Sequence, residues 1–102
     1  MYRKLLMTVV CMTALAGAAD AAAKQGERCG AIIFFRVQCD AGLWCQMPSG
    51  QCTADGAGTC VKAPEICNQI FLPVCGCNGR TFSNDCERQM SKVSKAHDGR
   101  CP

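Results

Sequence analysis

Apolar residues are most concentrated near the start of the chain. Residues 5–16 form an uncharged apolar stretch of 12 residues, preceded by two basic residues and followed by the small residues of segment 17–23. This order is typical of a signal peptide, and the stretch is short for a membrane span. The pattern predicts a signal peptide over 1–23, with cleavage after Ala23 favoured over Ala19 and Ala18. We therefore expect a secreted or periplasmic protein with no membrane segment after cleavage.

Beyond the leader, apolar positions occur only in short runs. Residues 31–35 could form a short strand, and several turn-forming residues keep the neighbouring elements short: Gly30, Gly42, Pro48 and Gly50. The segment 53–59 contains Asp, Gly, Ala and Thr, a composition typical of a loop. The pattern predicts a cysteine-rich mini-module over 24–52, a linker over 53–59 and a second domain over 60–102.

The second domain shows hairpin and helix signals. Asn78-Gly79 is a strong hairpin signal because both residue types tolerate positive φ. It predicts a turn between a strand near 72–77 and a strand near 80–82. Asn84 and Glu87 resemble a capping box, so a helix is expected over about 84–96. Its predicted inner face carries Cys86, Met90, Val93 and His97, and Gly99 is expected to end it.

Cysteine content is the most informative part of the composition. The chain has 11 cysteines in 102 residues, which is the composition of a small disulfide-rich fold in an oxidising compartment. Removal of Cys11 with the leader leaves ten, an even number that suits five disulfides. The chain has no C-x-x-C pair and only one histidine, His97, so we predict no metal site and no cofactor.

Charge and side-chain chemistry argue against two function classes. From Lys24 onward there are nine basic and seven acidic residues, and no clustered basic surface is predicted for nucleic-acid binding. Ser91, His97 and Asp98 include catalytic residue types, but one helix end cannot aim them as a triad, and no G-x-S-x-G motif occurs. We therefore do not expect an enzyme.

The first segment resembles a known module. Cys29-Gly30, followed by Cys39 and by Gly42-Leu43-Trp44-Cys45, is similar to the cysteine-rich module of insulin-like-growth-factor-binding proteins. The same glycines would also suit the turns of any cysteine-knotted mini-domain. The resemblance implies the disulfides Cys29–Cys45 and Cys39–Cys52, with Cys60 as an alternative to Cys52.

The second segment resembles Kazal-type serine protease inhibitors more specifically. Five cysteines match the first, second, third, fourth and sixth of that family: Cys60, Cys67, Cys75, Cys86 and Cys101. Pro73-Val74-Cys75-Gly76, Gly79, Thr81-Phe82 and Asn84 also fall at family positions. The resemblance covers 60–102 and implies a Kazal-like α+β fold, with a short antiparallel sheet and one helix.

One cysteine departs from the family pattern. The family's fifth cysteine follows the fourth by about three residues, where this chain has Gln89, and an extra Cys77 stands beside Cys75. The resemblance implies the family pairs Cys67–Cys86 and Cys75–Cys101. The simplest interpretation of the departure is a relocated disulfide, Cys60–Cys77.

The resemblance also implies an inhibitory loop. Residues 68–74 would mimic a substrate and contact a serine protease through Asn68, Gln69, Ile70, Phe71 and Leu72. Gln69–Ile70 would be the peptide bond offered, with Pro73 and Asn84 supporting the loop. Asn84 is thus expected both to support the loop and to cap the helix. Its one side-chain oxygen cannot serve every donor, so Ser83 is a candidate for the helix cap instead.

The specificity residue narrows the expected partner. Gln69 lacks the charge that a trypsin-like pocket requires, so a subtilisin-like protease is the more plausible partner of a monomeric inhibitor. The alternative is a non-inhibitory binding module on a Kazal scaffold, in which segment 68–74 is an ordinary exposed connection.

Overall fold

The structure is a computed structural model that describes residues 22–32, 34–53 and 55–102. Within these residues, ten cysteines form five disulfides around two antiparallel sheets and one short helix. This is the small disulfide-rich α+β fold that the sequence predicts. Residues 1–21 of the predicted leader lie outside the described part of the chain. No helix among the described residues has the length and apolarity needed to cross a membrane.

The first sheet has four strands in the order β2-β1-β4-β3. Its strands are β1 (Arg28–Ile32), β2 (Phe35–Val37), β3 (Leu43–Gln46) and β4 (Ala57–Lys62). The predicted single strand over 31–35 is therefore wrong, because the chain turns between Ile32 and Phe35 to form the β1–β2 hairpin. The predicted linker over 53–59 is also corrected, because Ala57–Thr59 begin β4, which pairs with both β1 and β3.

Disulfide sulfur fills the centre of this first sheet. Cys29 and Cys60 are fully buried and cluster with Ala23, while half-buried Val37 and Leu43 pack against them. Cys60 lies directly opposite Cys45 in the β3–β4 register. The pairs formed are Cys29–Cys45 and Cys39–Cys60. Cys39–Cys52 is thus incorrect, and the alternative with Cys60 holds because β4 carries Cys60 into this core.

Ala23 belongs to the first sheet. Its backbone N–H donates to the Gln38 carbonyl at 2.7 Å, and its carbonyl accepts from the Asp40 N–H at 2.8 Å. The side chain is buried in the core cluster. A chain that began after Ala23 would lack these contacts.

The second sheet has three strands in the order β6-β5-β7. They are β5 (Val74–Gly76), β6 (Thr81–Phe82) and β7 (Lys95–Asp98), and helix α1 (Asp85–Met90) lies between β6 and β7. The predicted hairpin is present, although only Gly79 has positive φ (82°). The turn is closed by the Gly79 N–H to the Gly76 carbonyl at 2.9 Å.

The helix is shorter than the predicted 84–96. After Met90 the chain reverses through Lys92, which has a φ of 60°, and the Val93 N–H bonds the Arg88 carbonyl at 3.4 Å. Residues 95–98 then pair with β5 as β7. The helical spacing of Val93 and His97 misled the prediction, because a two-residue turn and a strand also place them beside the sheet.

The two sheets are joined by a disulfide that the sequence did not predict. Cys77, in the β5–β6 turn, pairs with Cys52. The predicted Cys60–Cys77 pair is therefore wrong, because Cys60 is already bonded inside the first sheet. The backbone supports this joint, since the Gly50 N–H donates to the Lys95 carbonyl at 2.9 Å.

Candidate protease-contact loop

Segment 68–74 runs over the surface between two disulfides. Cys67–Cys86 joins the start of the loop to α1, and Cys75–Cys101 joins β5 to the C-terminal tail. Both pairs are those that the Kazal resemblance implies. Because the two ends are covalently anchored to the sheet and the helix, the loop has few conformations to lose on binding.

The predicted contact residues are all exposed. Ile70, Phe71 and Leu72 are 61%, 64% and 69% exposed, and Asn68 and Gln69 are also exposed. Ile66, just before the first anchor, is 86% exposed. Contiguous exposed apolar side chains in a small domain are typical of a surface that contacts another molecule.

Asn84 supports the loop from below. It is 6% exposed, and its Nδ2 donates to the Ile70 carbonyl at 2.7 Å and to the Asn68 carbonyl at 3.3 Å. Its Oδ1 accepts from the Glu87 N–H at 2.8 Å and caps α1. The expected conflict does not arise, because the amide supplies donors to the loop and its acceptor to the helix. Ser83 is therefore not needed as the cap.

Backbone and local bonds hold the rest of the loop. The Leu72 N–H donates to the Ser83 carbonyl and the Pro73 carbonyl accepts from the Gly99 N–H, both at 2.8 Å. The Ile70 N–H donates to Asn68 Oδ1 at 3.1 Å, which closes a turn around Gln69. The loop is thus tied to β6 on one side and to the residue after β7 on the other.

Two arginines near the loop were missed at the level of sequence. Arg100 lies 5.5 Å from the centroid of the Phe71 ring, within cation–π range. Arg88 is 3% exposed; its Nε donates to Asp85 Oδ1 at 2.9 Å and its Nη1 to the Val93 carbonyl at 2.6 Å. The spacing of Asp85 and Arg88, three apart on a helix, was the available signal for that pair.

The Asp85–Arg88 pair is the main ion pair of α1. The hydrogen bond from Arg88 holds the pKa of Asp85 below its ordinary value of 3.8, against partial burial that acts to raise it. The charges of Arg88 and Lys95 lower this pKa further. Lys95 Nζ lies 3.8 Å from Asp85 Oδ1. Asp85 therefore links α1 to the edge strand β7.

Three sulfurs in the first sheet lie close enough to invite a metal interpretation. The Sγ atoms of Cys29, Cys39 and Cys45 are all within 4.8 Å of one another. Each belongs to a disulfide, and metal ions bind the thiolate form of cysteine. This cluster is therefore accounted for by disulfide bonding.

The match to a known family agrees with this geometry. The profile of the Kazal-type serine protease inhibitor domain matches residues 45–101. This chain belongs to the Kazal family. The match begins upstream of the predicted domain start at Cys60 and so includes the end of β3 and all of β4 in the first sheet. The Kazal family is one of inhibitory or binding domains.

Curated relatives extend the similarity in two directions. Ovoinhibitor of Gallus gallus is 33% identical over 73 residues, which cover 55% of this chain and 14% of that protein. Follistatin-related protein 1 of Pongo abelii is 34% identical over 94 residues, covering 86% of this chain and 29% of the relative. The same protein of Rattus norvegicus is 33% identical over 84 residues, covering 76% and 26%. The Kazal chain described here thus spans less than a third of these relatives.

Proposed function

We propose that this protein is a secreted serine protease inhibitor that acts through a substrate-mimic loop over residues 68–74. The observation that carries the proposal is the Asn84 amide, whose two donors bond the carbonyls of Asn68 and Ile70. These carbonyls flank Gln69, so Gln69–Ile70 is the peptide bond offered to the protease. Its role is to inhibit, with no catalysis of its own.

Preorganisation provides the physical basis. A loop that is already fixed loses little entropy when a protease binds it. After cleavage of Gln69–Ile70, the Cys67–Cys86 and Cys75–Cys101 disulfides would keep the new ends attached to the domain. Religation then competes with release. Protease–inhibitor interfaces bury about 1,600 Å² in total, an area that a domain of this size can supply.

Gln69 indicates the class of protease. A trypsin-like pocket presents a buried Asp to Lys or Arg, and the neutral Gln69 amide cannot satisfy it. An apolar chymotrypsin- or elastase-type pocket would have to desolvate the amide at about 1–3 kcal/mol. We therefore favour a subtilisin-like protease, bound by one inhibitor molecule as a monomer.

A protease panel tests the proposal directly. The oxidised mature protein should inhibit subtilisin at sub-micromolar concentration, with one slow cut at Gln69–Ile70 detected by mass spectrometry. The variant Gln69→Arg should gain trypsin inhibition by more than about a hundredfold, because it supplies the missing charge. If Gln69→Arg leaves trypsin uninhibited, the loop is not a substrate mimic.

Asn84 variants separate loop support from helix capping. Ser caps a helix nearly as well as Asn, but its short hydroxyl cannot replace two donors that reach the Asn68 and Ile70 carbonyls. Asn84→Ser should therefore weaken inhibition at least about tenfold with little change in thermal stability. Asn84→Ala should lower both. Unchanged inhibition by Asn84→Ser would contradict the support role.

The alternative is a non-inhibitory binding module. Its support is the broad alignment with follistatin-related protein 1, which covers 86% of this chain. Under this alternative the exposed Ile70, Phe71 and Leu72 side chains contact a partner without entering a protease pocket. Rapid cutting of the loop without inhibition would favour it over the inhibitor.

A further inference from the structure

The five disulfides differ in how much protein covers them. Cys29, Cys60 and Cys75 are buried, and each protects its own disulfide on one side. Cys67 and Cys86 are both half-buried. Among the described residues, only the Cys52–Cys77 disulfide has an exposed member, Cys52. Thiol–disulfide exchange requires access to a sulfur, so this disulfide is the most open to attack.

A groove gives a route to the Cys52–Cys77 disulfide. The groove has a volume of about 330 Å³, and both cysteines line it together with Met47, Lys92 and Val93. The exposed Lys92 places a positive charge in the same groove. A nearby cation lowers the pKa of a thiol, and a thiol of lower pKa leaves faster in exchange.

The same disulfide joins the two sheets covalently at the side of the β5–β6 turn, in addition to the backbone that runs from β4 to β5. Among the described residues, two hydrogen bonds also cross this joint: Met47 N–H to Ser94 Oγ and Gly50 N–H to the Lys95 carbonyl, both at 2.9 Å. Two of the remaining four disulfides lie within the first sheet. The other two lie within residues 67–102, the second sheet with its loop, helix and tail, which we call the Kazal part. Opening Cys52–Cys77 would therefore release the joint while both sheets keep their own cross-links.

We propose that Cys52–Cys77 is a thiol-exchange site that accepts a dithiol reductant and uncouples the two sheets. A thiolate of the reductant attacks Cys52 Sγ, the Cys52–Cys77 bond breaks, and Cys77 leaves as a thiolate that takes a proton from water. The second reductant thiol, as its thiolate, then attacks the mixed disulfide. It releases Cys52 as a thiolate, which is also protonated, and forms the reductant's own disulfide. Two electrons pass from the dithiol to the protein.

Limited reduction tests the selectivity. The folded mature protein is treated with dithiothreitol for increasing times, quenched with N-ethylmaleimide and mapped by peptide mass spectrometry. Cys52 and Cys77 should be labelled at least about tenfold faster than any other cysteine. The double variant Cys52→Ser/Cys77→Ser should show no fast-labelled pair. Faster labelling of Cys67 and Cys86, or equal labelling of all ten, would overturn the proposal.

A matched pair of lysine variants tests the role of the groove. Lys92→Gln removes the groove's cation and should slow labelling of Cys52 and Cys77 by about two- to fivefold. Lys62→Gln removes an exposed lysine of β4 that does not line the groove, and should leave the rate unchanged. Equal rates in the two variants would contradict the role given to Lys92.

Hydrogen exchange tests the uncoupling itself. After selective reduction, the Gly50 and Met47 amides should exchange at least about tenfold faster, because the bonds at the joint then open freely. The Cys60 amide, which donates to the Glu27 carbonyl inside the first sheet, should keep its protection. Unchanged exchange at Gly50 and Met47 would show that the disulfide does not control the joint.

Discussion

The two sheets differ in the side chains that they bury in their small cores. The buried hydrophobic side chains described in the first sheet are those of Ala23, Cys29, Trp44 and Cys60. The Kazal part buries Val74, Cys75 and Phe82, but also the polar side chains of Asn84 and Arg88. A domain of this size cannot bury enough apolar surface to fold on that basis alone. Two disulfides therefore cross-link each part, and the Kazal part is tied in addition by the buried polar side chains of Asn84 and Arg88.

The difference matters for function. In the Kazal part, Asn84 and Arg88 bond backbone carbonyls in segments outside the regular elements, namely the loop and the turn before β7. Such hydrogen bonds fix the shape of irregular segments. Apolar packing fixes that shape less specifically. In the first sheet, the cross-links hold strands against one another. We infer that polar burial is placed where an exposed loop has to keep one conformation.

Gly58 provides the strongest way to break the first sheet alone. A Cβ at this position would overlap the Gln46 carbonyl oxygen and lie 2.8 Å from its carbon, both backbone atoms of β3. The backbone cannot yield without losing the β3–β4 pairing, so Gly58→Ala should cost about 3 kcal/mol or more. Urea unfolding with the disulfides intact measures this loss.

Gly56→Ala is the matched control for Gly58→Ala. It lies two residues earlier, and its nearest contact for an added Cβ is the Gln51 side chain at 3.6 Å, an ordinary van der Waals distance. Its stability should change by less than about 1 kcal/mol. Equal effects of the two variants would mean that close strand approach does not limit the first sheet.

The Kazal part could be predicted from the sequence in more detail than the first sheet. Its hairpin, the start of its helix and its two family disulfides follow from local signals such as Asn78-Gly79 and from regular cysteine spacing. Asn84 was also placed correctly beneath the loop. What local signals missed was the end of the helix, because Val93 and His97 continue the helical spacing although the chain turns at Lys92.

The first sheet was poorly predicted for a physical reason. Strand β1 pairs with β4 across the sequence, and β4 lies between β1 and β3 although it comes last in sequence. Nothing near Cys60 in the sequence favours the earlier segment over the later one, so Cys60 was only the alternative partner of Cys39, and Cys77 was given a wrong partner. Composition also made residues 53–59 resemble a linker. Gly58 counted there as a sign of flexibility, but the structure requires it because β3 and β4 approach closely at this position.

The next largest effect is expected at the N-terminal end of the first sheet, where Ala23 is buried. A mature chain that begins at Lys24 lacks Ala23, its two backbone hydrogen bonds and its buried methyl group. Compared with a chain that begins at Asp20, it should be less stable by about 2 kcal/mol. Denaturant unfolding of the two chains measures this, and N-terminal sequencing of the exported protein should find a start before Ala23. Equal stability would place Ala23 outside the core.

Acid titration probes the polar tether of the Kazal part. Asp85 has a lowered pKa in the folded protein because Arg88 bonds it. Its stabilisation is therefore fully present above the ordinary Asp pKa and is lost as pH falls through the lower folded value. Asp85→Asn should cost about 1 kcal/mol at pH 6, and this difference from wild type should shrink towards pH 2. A difference that stays constant from pH 6 to pH 2 would contradict this role of Asp85.

Substitution of Lys92 is expected to have the smallest effect on stability, and it should stabilise the protein where the other variants destabilise it. Its φ of 60° is a left-handed conformation at the turn that ends α1, which costs a non-glycine residue roughly 1–2 kcal/mol. Gly adopts it freely but loses more entropy on folding, so Lys92→Gly should stabilise by only about 0.5 kcal/mol. Lys92→Ala keeps the strain and serves as the control. Thermal unfolding of both variants tests this, and destabilisation by Gly would show that the lysine side chain contributes more at the joint than its backbone strain costs.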